Sequence, residues 1–190
     1  MREIEGSIKS YDSAEKLVRE WVDSIDSTIV ESPLFPNGKA SSQDIFAHGC
    51  NVASSLREWG ASTELQIAGL VHSLLWNCVI LPNQVTEAFG DKAASLCREH
   101  QRLFEKMAEA RWRGTPYALE RVKHYILAYR NLDLALLSAA DLWHLFLLSK
   151  QGDHAHQLRY IEIAHHVMSP YFRFLGLSEL EQRIWAEVAT

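Results

Sequence analysis

Two stretches of the sequence are apolar on nearly every face of a helix, and each holds one ionisable residue near its middle. The first begins after Ser62 and contains His72 within LVHSLL; the second begins at Leu132 and contains Asp141 within LLSAADLWHLF. A helix that is apolar all round belongs in the centre of a fold. A carboxylate buried there without a partner costs several kcal/mol or loses its charge. We therefore expect Asp141 to have a metal, a cation or several hydrogen bonds as its partner.

Helix signals also dominate the rest of the chain, and no stretch shows the convincing alternation of a β-strand. Ser41 with Asp44 forms a capping-box pattern before an apolar stripe that Gly60 ends, and Ser62 caps the next helix. Proline and glycine mark turns between helices, not a linker between domains. With 190 residues, the chain is predicted to be one all-α domain, a bundle of roughly eight helices.

Other element boundaries follow from local signals. Asp12 with Glu15 predicts the start of an N-terminal helix within residues 1–31, and Ser32–Ser42, which holds two prolines, predicts a loop. Four more elements are predicted: a long polar helix over 91–113, a helix from Thr115–Pro116 to about Tyr129, a helix from His156 to Met168 that Pro170 interrupts, and a terminal helix capped by Ser178 with Glu181.

Charge and cysteine content exclude several classes of protein. The net charge of −5 offers no general attraction to nucleic acid or to an anionic membrane. Cys50, Cys78 and Cys97 are odd in number and form no CxxC pair, so no disulfide framework is expected. The apolar run Leu132–Leu148 is interrupted by polar residues and is short for a membrane span. These features predict a soluble, cytoplasmic protein that binds neither nucleic acid nor membrane.

A third metal-capable residue borders the apolar face of its own helix. His48 lies three positions after Ile45 and four before Val52, and both of these are stripe residues. The three helices that carry His48, His72 and Asp141 therefore each direct one metal-capable side chain towards a shared interior. Each residue alone has an ordinary explanation, since a buried histidine is often a satisfied core residue and a buried aspartate often caps a helix or pairs with arginine.

Four segments together resemble the HD-domain phosphohydrolases, specifically the RelA/SpoT-type alarmone hydrolases. The likeness covers about Pro36 to Leu177 and includes the separation of His48 from His72, which is 24 positions. The segments are DIFAHGCNVASSLREWGASTELQIAGLVHSLLWN, QVTEAFGDKAASLCREHQ, LLSAADLWHLFLL and RYIEIAHHVMSPYFRFLG. The resemblance implies an all-α HD-type bundle with one bound metal ion.

Carried over by position, the resemblance assigns roles to individual residues. His48, His72 and Asp141 fall on three metal-ligand positions of the family. Lys39 falls where the family has a basic residue that stacks on the substrate base, and His144 is a second candidate for assisting ligand binding. The implied cofactor is a divalent metal (Mn, Fe, Ni or Zn), held weakly or not at all. The implied ligand is a nucleotide or a phosphorylated small molecule.

The chain departs from the family at the positions that perform hydrolysis. Ser73 stands where the His-Asp pair has its aspartate, and Trp76 and Asn77 stand where a Glu-Asp pair activates water. Leu145 replaces an asparagine beside the nucleotide. A hydroxyl is a weak metal ligand, and neither an indole nor an amide can act as a general base near neutral pH. The resemblance therefore implies impaired hydrolysis.

Three functions remain open from the sequence. The first is an HD-type pocket that binds a nucleotide or phosphorylated molecule with little hydrolysis. The second is a working metal enzyme on the altered site, either a slow phosphohydrolase or a mononuclear iron enzyme, because two histidines and one carboxylate also make up the facial triad of non-haem iron proteins. The third is an interaction module without a ligand. The oligomeric state, a dimer included, is left open.

Overall fold

The computed structural model describes residues 10–25, 29–32, 35, 38–112 and 131–188. Within these ranges the chain is helical apart from one two-stranded antiparallel sheet, which confirms the predicted all-α class. The elements are α1 (Tyr11–Asp23), β1 (Ile29–Glu31), β2 (Lys39–Ser41), α2 (Ser42–Glu58), α3 (Thr63–Trp76), α4 (Pro82–Phe89), α5 (Asp91–Trp112), α6 (Leu132–Ser149), α7 (His154–Ile163), a π-helical turn (Ala164–Met168), α8 (Ser169–Phe174) and α9 (Ser178–Val188).

Helices α2 and α3 make the closest backbone contact that positions the site. The predicted Ser41–Asp44 capping box starts α2, and Ser62 caps α3 by accepting from the backbone N–H of Leu65. A Cβ added to Gly49 would lie 2.2 Å from the carbonyl oxygen of Leu70, so only glycine permits this approach. The two helices that carry His48 and His72 are thereby held together.

The two apolar helices occupy the interior, as predicted. Ten of the 14 residues of α3 and twelve of the 18 residues of α6 are buried. Helix α6 is long and apolar enough to cross a membrane by length and composition, with a mean hydropathy of 1.4, but 61% of it is buried inside the fold. Burial within the protein accounts for its composition.

The N-terminal predictions need two corrections. Helix α1 begins after Ser10, whose hydroxyl accepts from the N–H of Ser13, so Asp12 lies in the first turn and is not the cap. The predicted loop Ser32–Ser42 contains β2, which pairs with β1. Three-residue strands are too short to show an alternating pattern, and for that reason the sequence did not reveal them.

The C-terminal predictions also need correction. Pro170 does not interrupt the helical path, because the chain passes from α7 through the π-helical turn into α8 with Pro170 in the first turn of α8, where its missing N–H is tolerated. Helix α9 begins at Ser178 as predicted, but Glu181 accepts a hydrogen bond from the hydroxyl of Ser169 at 2.7 Å. The predicted helix ending near Tyr129 lies outside the described residues.

Candidate metal centre

His48, His72 and Asp141 converge in the interior, as the sequence predicts. Their exposed fractions are 3%, 3% and 1%, and one ligand atom from each lies within 4.8 Å of the others. Asp141 Oδ1 is 2.9 Å from His48 Nε2, and Asp141 Oδ2 is 3.5 Å from His72 Nε2. The two histidine Nε2 atoms are 3.3 Å apart. The consecutive helices α2 and α3 and the distant helix α6 thus direct donor atoms to one point.

The hydrogen bond of His72 determines which of its ring nitrogens is free. Its Nδ1 lies 2.7 Å from the carbonyl oxygen of Gly69 in the preceding turn of α3. A carbonyl only accepts, so Nδ1 carries a hydrogen, and in the neutral ring this leaves a lone pair on Nε2, the nitrogen that faces the centre. This is the tautomer that a metal-binding histidine requires, with its second nitrogen bonded to a backbone carbonyl.

His144 contacts His48 on the side away from the centre. The two Nδ1 atoms are 2.6 Å apart, so one ring donates the hydrogen and the other accepts it. When His48 donates, its Nε2 is left with a free lone pair directed at the centre. When His144 donates, neutral His48 keeps its hydrogen on Nε2, facing Asp141. His144 is only partly buried, and it controls the ligand state of His48 through this one bond.

A fourth histidine, His100 of α5, lies beside Asp141 and was missed by the sequence analysis. Its exposed fraction is 1%, and its Nε2 lies 3.3 Å from Asp141 Oδ2. The sequence held a signal for it, since His100 lies three positions after Cys97 and four before Phe104, both buried. The polar composition of α5 obscured this apolar stripe.

The electrostatics favour neutral imidazoles at His48, His100 and His144 and an ionised carboxylate at Asp141. Burial lowers the pKa of His100 to about 3 and that of His144 to about 4, and it also lowers the pKa of His48. Burial alone would raise the pKa of Asp141, but its interactions with His72 and His48 outweigh this and hold the pKa below its usual range. Neutral imidazole and ionised carboxylate are the forms that bind metal.

These residues fit a divalent metal ion. In its neutral form His72 presents Nε2 as an acceptor to the carboxylate of Asp141, and a divalent ion between these two acceptors would satisfy both. His100 Nε2 is buried, and no hydrogen bond reaches it from any described residue. Imidazole and carboxylate donors suit first-row divalent ions. His48, His72 and Asp141 would hold such an ion.

Three residues at the C-terminal end of α3 make contacts within the fold. Ser73 is buried, and its hydroxyl donates to the carbonyl oxygen of Ile45 on α2 at 3.4 Å. Trp76 packs edge-on against Phe104, with ring centroids 5.3 Å apart. Asn77 follows the last turn of α3, and its side-chain N–H donates to the carbonyl oxygen of Ser73 at 2.7 Å.

Of the two predicted ligand-binding residues, His144 contacts His48, whereas Lys39 lies at the surface. Lys39 is exposed at the start of β2, opposite Glu31 in the strand register. Leu145 is 1% exposed and packs in the apolar core formed around α6 and α8. Phe35, near Lys39 in sequence, is buried with its ring 5.6 Å from that of His48.

Comparison with protein families gives one result. A family model described as HD domain matches residues 32–171, which is more than half of the chain and close to the range of the resemblance. A search of curated proteins found no match. His48, His72, His100, Asp141 and His144 all lie inside the matched range.

Proposed function

Because the chain belongs to the HD-domain family, whose fold is that of metal-dependent phosphohydrolases, we propose that it binds a divalent metal at His48, His72 and Asp141. At this site it binds a nucleotide or another phosphorylated small molecule, with little hydrolysis. The observation that carries the proposal is the convergence of these three buried side chains.

The finer assignment is a RelA/SpoT-type HD domain with a degenerate His-Ser pair. It is supported by the order and spacing of the matching segments and by the orientation of Ser73, whose hydroxyl bonds to the backbone of α2. Lys39, placed at the position of the family's base-stacking residue, is proposed to contact the ligand. The net charge of −5 supports the proposal that the protein binds no nucleic acid. The three free cysteines support the proposal that it is cytoplasmic.

A metal in this site would supply a positive charge to which phosphate oxygens bind. The protein's own residues then determine whether the site can hydrolyse a bound phosphate ester. Hydrolysis needs a group that removes a proton from water, and neither the indole of Trp76 nor the amide of Asn77 is a base near neutral pH. The ionised Asp141 is buried among histidines and is committed to them. Binding is therefore favoured over turnover.

One observation favours a second candidate, a mononuclear iron enzyme. The cluster is richer in imidazole than in carboxylate, and two histidines with one carboxylate form the facial set that non-haem iron enzymes use. A third candidate, an interaction module without a ligand, requires that the cluster bind no metal.

The test is elemental analysis of protein purified without a histidine tag, together with identification of small molecules released on denaturation. We expect a substoichiometric first-row metal that rises towards one equivalent when metal is added, and binding of phosphate-bearing compounds only in the metal-loaded protein. No binding of any first-row metal would overturn the proposal. Tightly held iron with no affinity for phosphorylated compounds would replace it with the iron-enzyme candidate.

A further inference from the structure

We propose that His100 is a further ligand of the same metal, so that the centre consists of three imidazoles and one carboxylate. The proposal rests on the proposed function, because it concerns the composition of that site. His100, on α5, would supply a neutral imidazole ligand in place of the carboxylate that Ser73 does not supply.

The geometry around Asp141 carries the proposal. The carboxylate is approached by three Nε2 atoms, those of His48 at 2.9 Å, His72 at 3.5 Å and His100 at 3.3 Å. The rings of His72 and His100 meet edge to face with centroids 5.0 Å apart. His100 therefore lies on the side of His72 that faces α5, next to the same carboxylate oxygen.

The orientation of His100 is held by aromatic packing. Its ring lies against Phe104 with centroids 4.6 Å apart and an interplanar angle of 32°. Phe104 is itself held edge-on by Trp76. Trp76 stands where the family has a water-activating carboxylate. Here its indole packs against Phe104, and Phe104 in turn supports the imidazole of His100. The substitution at position 76 and the presence of His100 are thus parts of one arrangement.

A histidine buried only for packing would be expected to have a hydrogen bond at each ring nitrogen that is shielded from water. His100 Nε2 is shielded and receives no such bond from the described residues, although it lies beside a carboxylate. A shared metal ion satisfies both groups at once.

The donor set determines both the metal and the ligand class. Three imidazoles with one carboxylate favour nitrogen-preferring ions such as zinc, iron, cobalt or nickel over manganese and magnesium. A divalent ion with one carboxylate keeps a net positive charge, which favours an anion such as a phosphate ester as the remaining ligand.

The test measures binding of metal alone to the full chain. His100→Gln removes the imidazole and retains a polar side chain, and His165→Ala, an exposed histidine of the π-helical turn, is the matched control. We expect zinc affinity to fall at least about tenfold in His100→Gln and to stay unchanged in the control. His100→Glu places a carboxylate there instead, and we expect the ratio of zinc to manganese affinity to fall at least about tenfold.

The outcomes separate this proposal from the proposed function. If the unmodified protein binds zinc, and His100→Gln binds it equally well with the same cobalt absorption spectrum, His100 is not a ligand and the three-residue site stands. If the unmodified protein binds no metal, both proposals fail.

A measurement on the unmodified protein covers the case in which the variants do not fold. With nitrogen-labelled histidine, zinc should change the Nε2 signals of three rings that include His100. An unchanged His100 signal would overturn the proposal.

Discussion

Two neighbouring parts of α3 make different kinds of contact. His72 faces the interior, bonds through Nδ1 to Gly69 and presents Nε2 to Asp141. The last turn, with Ser73, Trp76 and Asn77, bonds to the backbone or packs against Phe104. The first part offers a donor atom that could bind a metal, and the second makes contacts within the fold.

We propose that in this chain metal binding and water activation depend on separate residues, so that one can be present without the other. A metal site needs only converging lone pairs in the right protonation state. Water activation also needs a base within hydrogen-bond reach. Four predictions test the separation, and they run from the largest expected effect to the smallest.

The largest effect concerns hydrolysis. We expect release of pyrophosphate from a guanosine 3′-pyrophosphate to be slower by a factor of roughly 10² to 10⁴ than in an HD domain with its carboxylates intact, because a general base is missing. Initial rates with manganese present would measure this. Ser73→Asp with Trp76→Glu and Asn77→Asp should raise turnover if the variant melts normally.

Efficient manganese-dependent turnover by the unmodified protein would contradict the first prediction. It would show that the last turn of α3 is not where hydrolysis is lost.

The second prediction concerns the carboxylate shared by the cluster. Asp141→Asn removes the only charge that the described cluster offers a metal, and we expect metal affinity to fall by more than about 100-fold. This loss exceeds the roughly 10- to 100-fold loss that is typical when a residue hydrogen-bonded to a metal ligand is removed. Zinc titration by calorimetry would measure it. Asp133→Asn on the same helix is the matched control, because Asp133 is partly exposed and pairs with Lys92 at 3.1 Å. Equal losses in the two variants would indicate damage to the helix.

The third prediction concerns the hydrogen bond behind His48. His144→Ala leaves His48 Nδ1 without its partner, and we expect metal affinity to fall by roughly 10- to 100-fold. His144→Asn keeps a polar atom near the former Nδ1 position and should recover part of the loss. The same zinc titration applies. No difference between the alanine and asparagine variants would show that the bond does not prepare His48 for binding.

The smallest effect is expected at Ser73. Ser73→Ala removes one long hydrogen bond to Ile45, so we expect unfolding free energy to fall by no more than about 1 kcal/mol and metal affinity to stay within about twofold. Chemical denaturation and zinc titration would check both values. A large loss of metal affinity would mean that the hydroxyl is a ligand, and the separation within α3 would not hold.

Much of the site was readable because helical spacing reveals which face of a helix a residue occupies. The apolar surroundings of His72 and Asp141 predicted burial, and the stripe positions beside His48 predicted the same face. His100 obeys the same spacing, but α5 is polar overall and its stripe is narrow. Spacing also could not show that the hydroxyl of Ser73, next to His72 in sequence, bonds to α2.

The sequence by itself determined the all-α class, the central position of α3 and α6, and the three side chains that had to find a partner in the interior. These follow from local periodicity and from the cost of burying charge. Tertiary structure alone decided that His144 contacts His48 across 96 positions and that His100 reaches Asp141. The reason is that such contacts depend on how separate helices are rotated and spaced against one another, which packing across the whole core sets and which no single segment encodes.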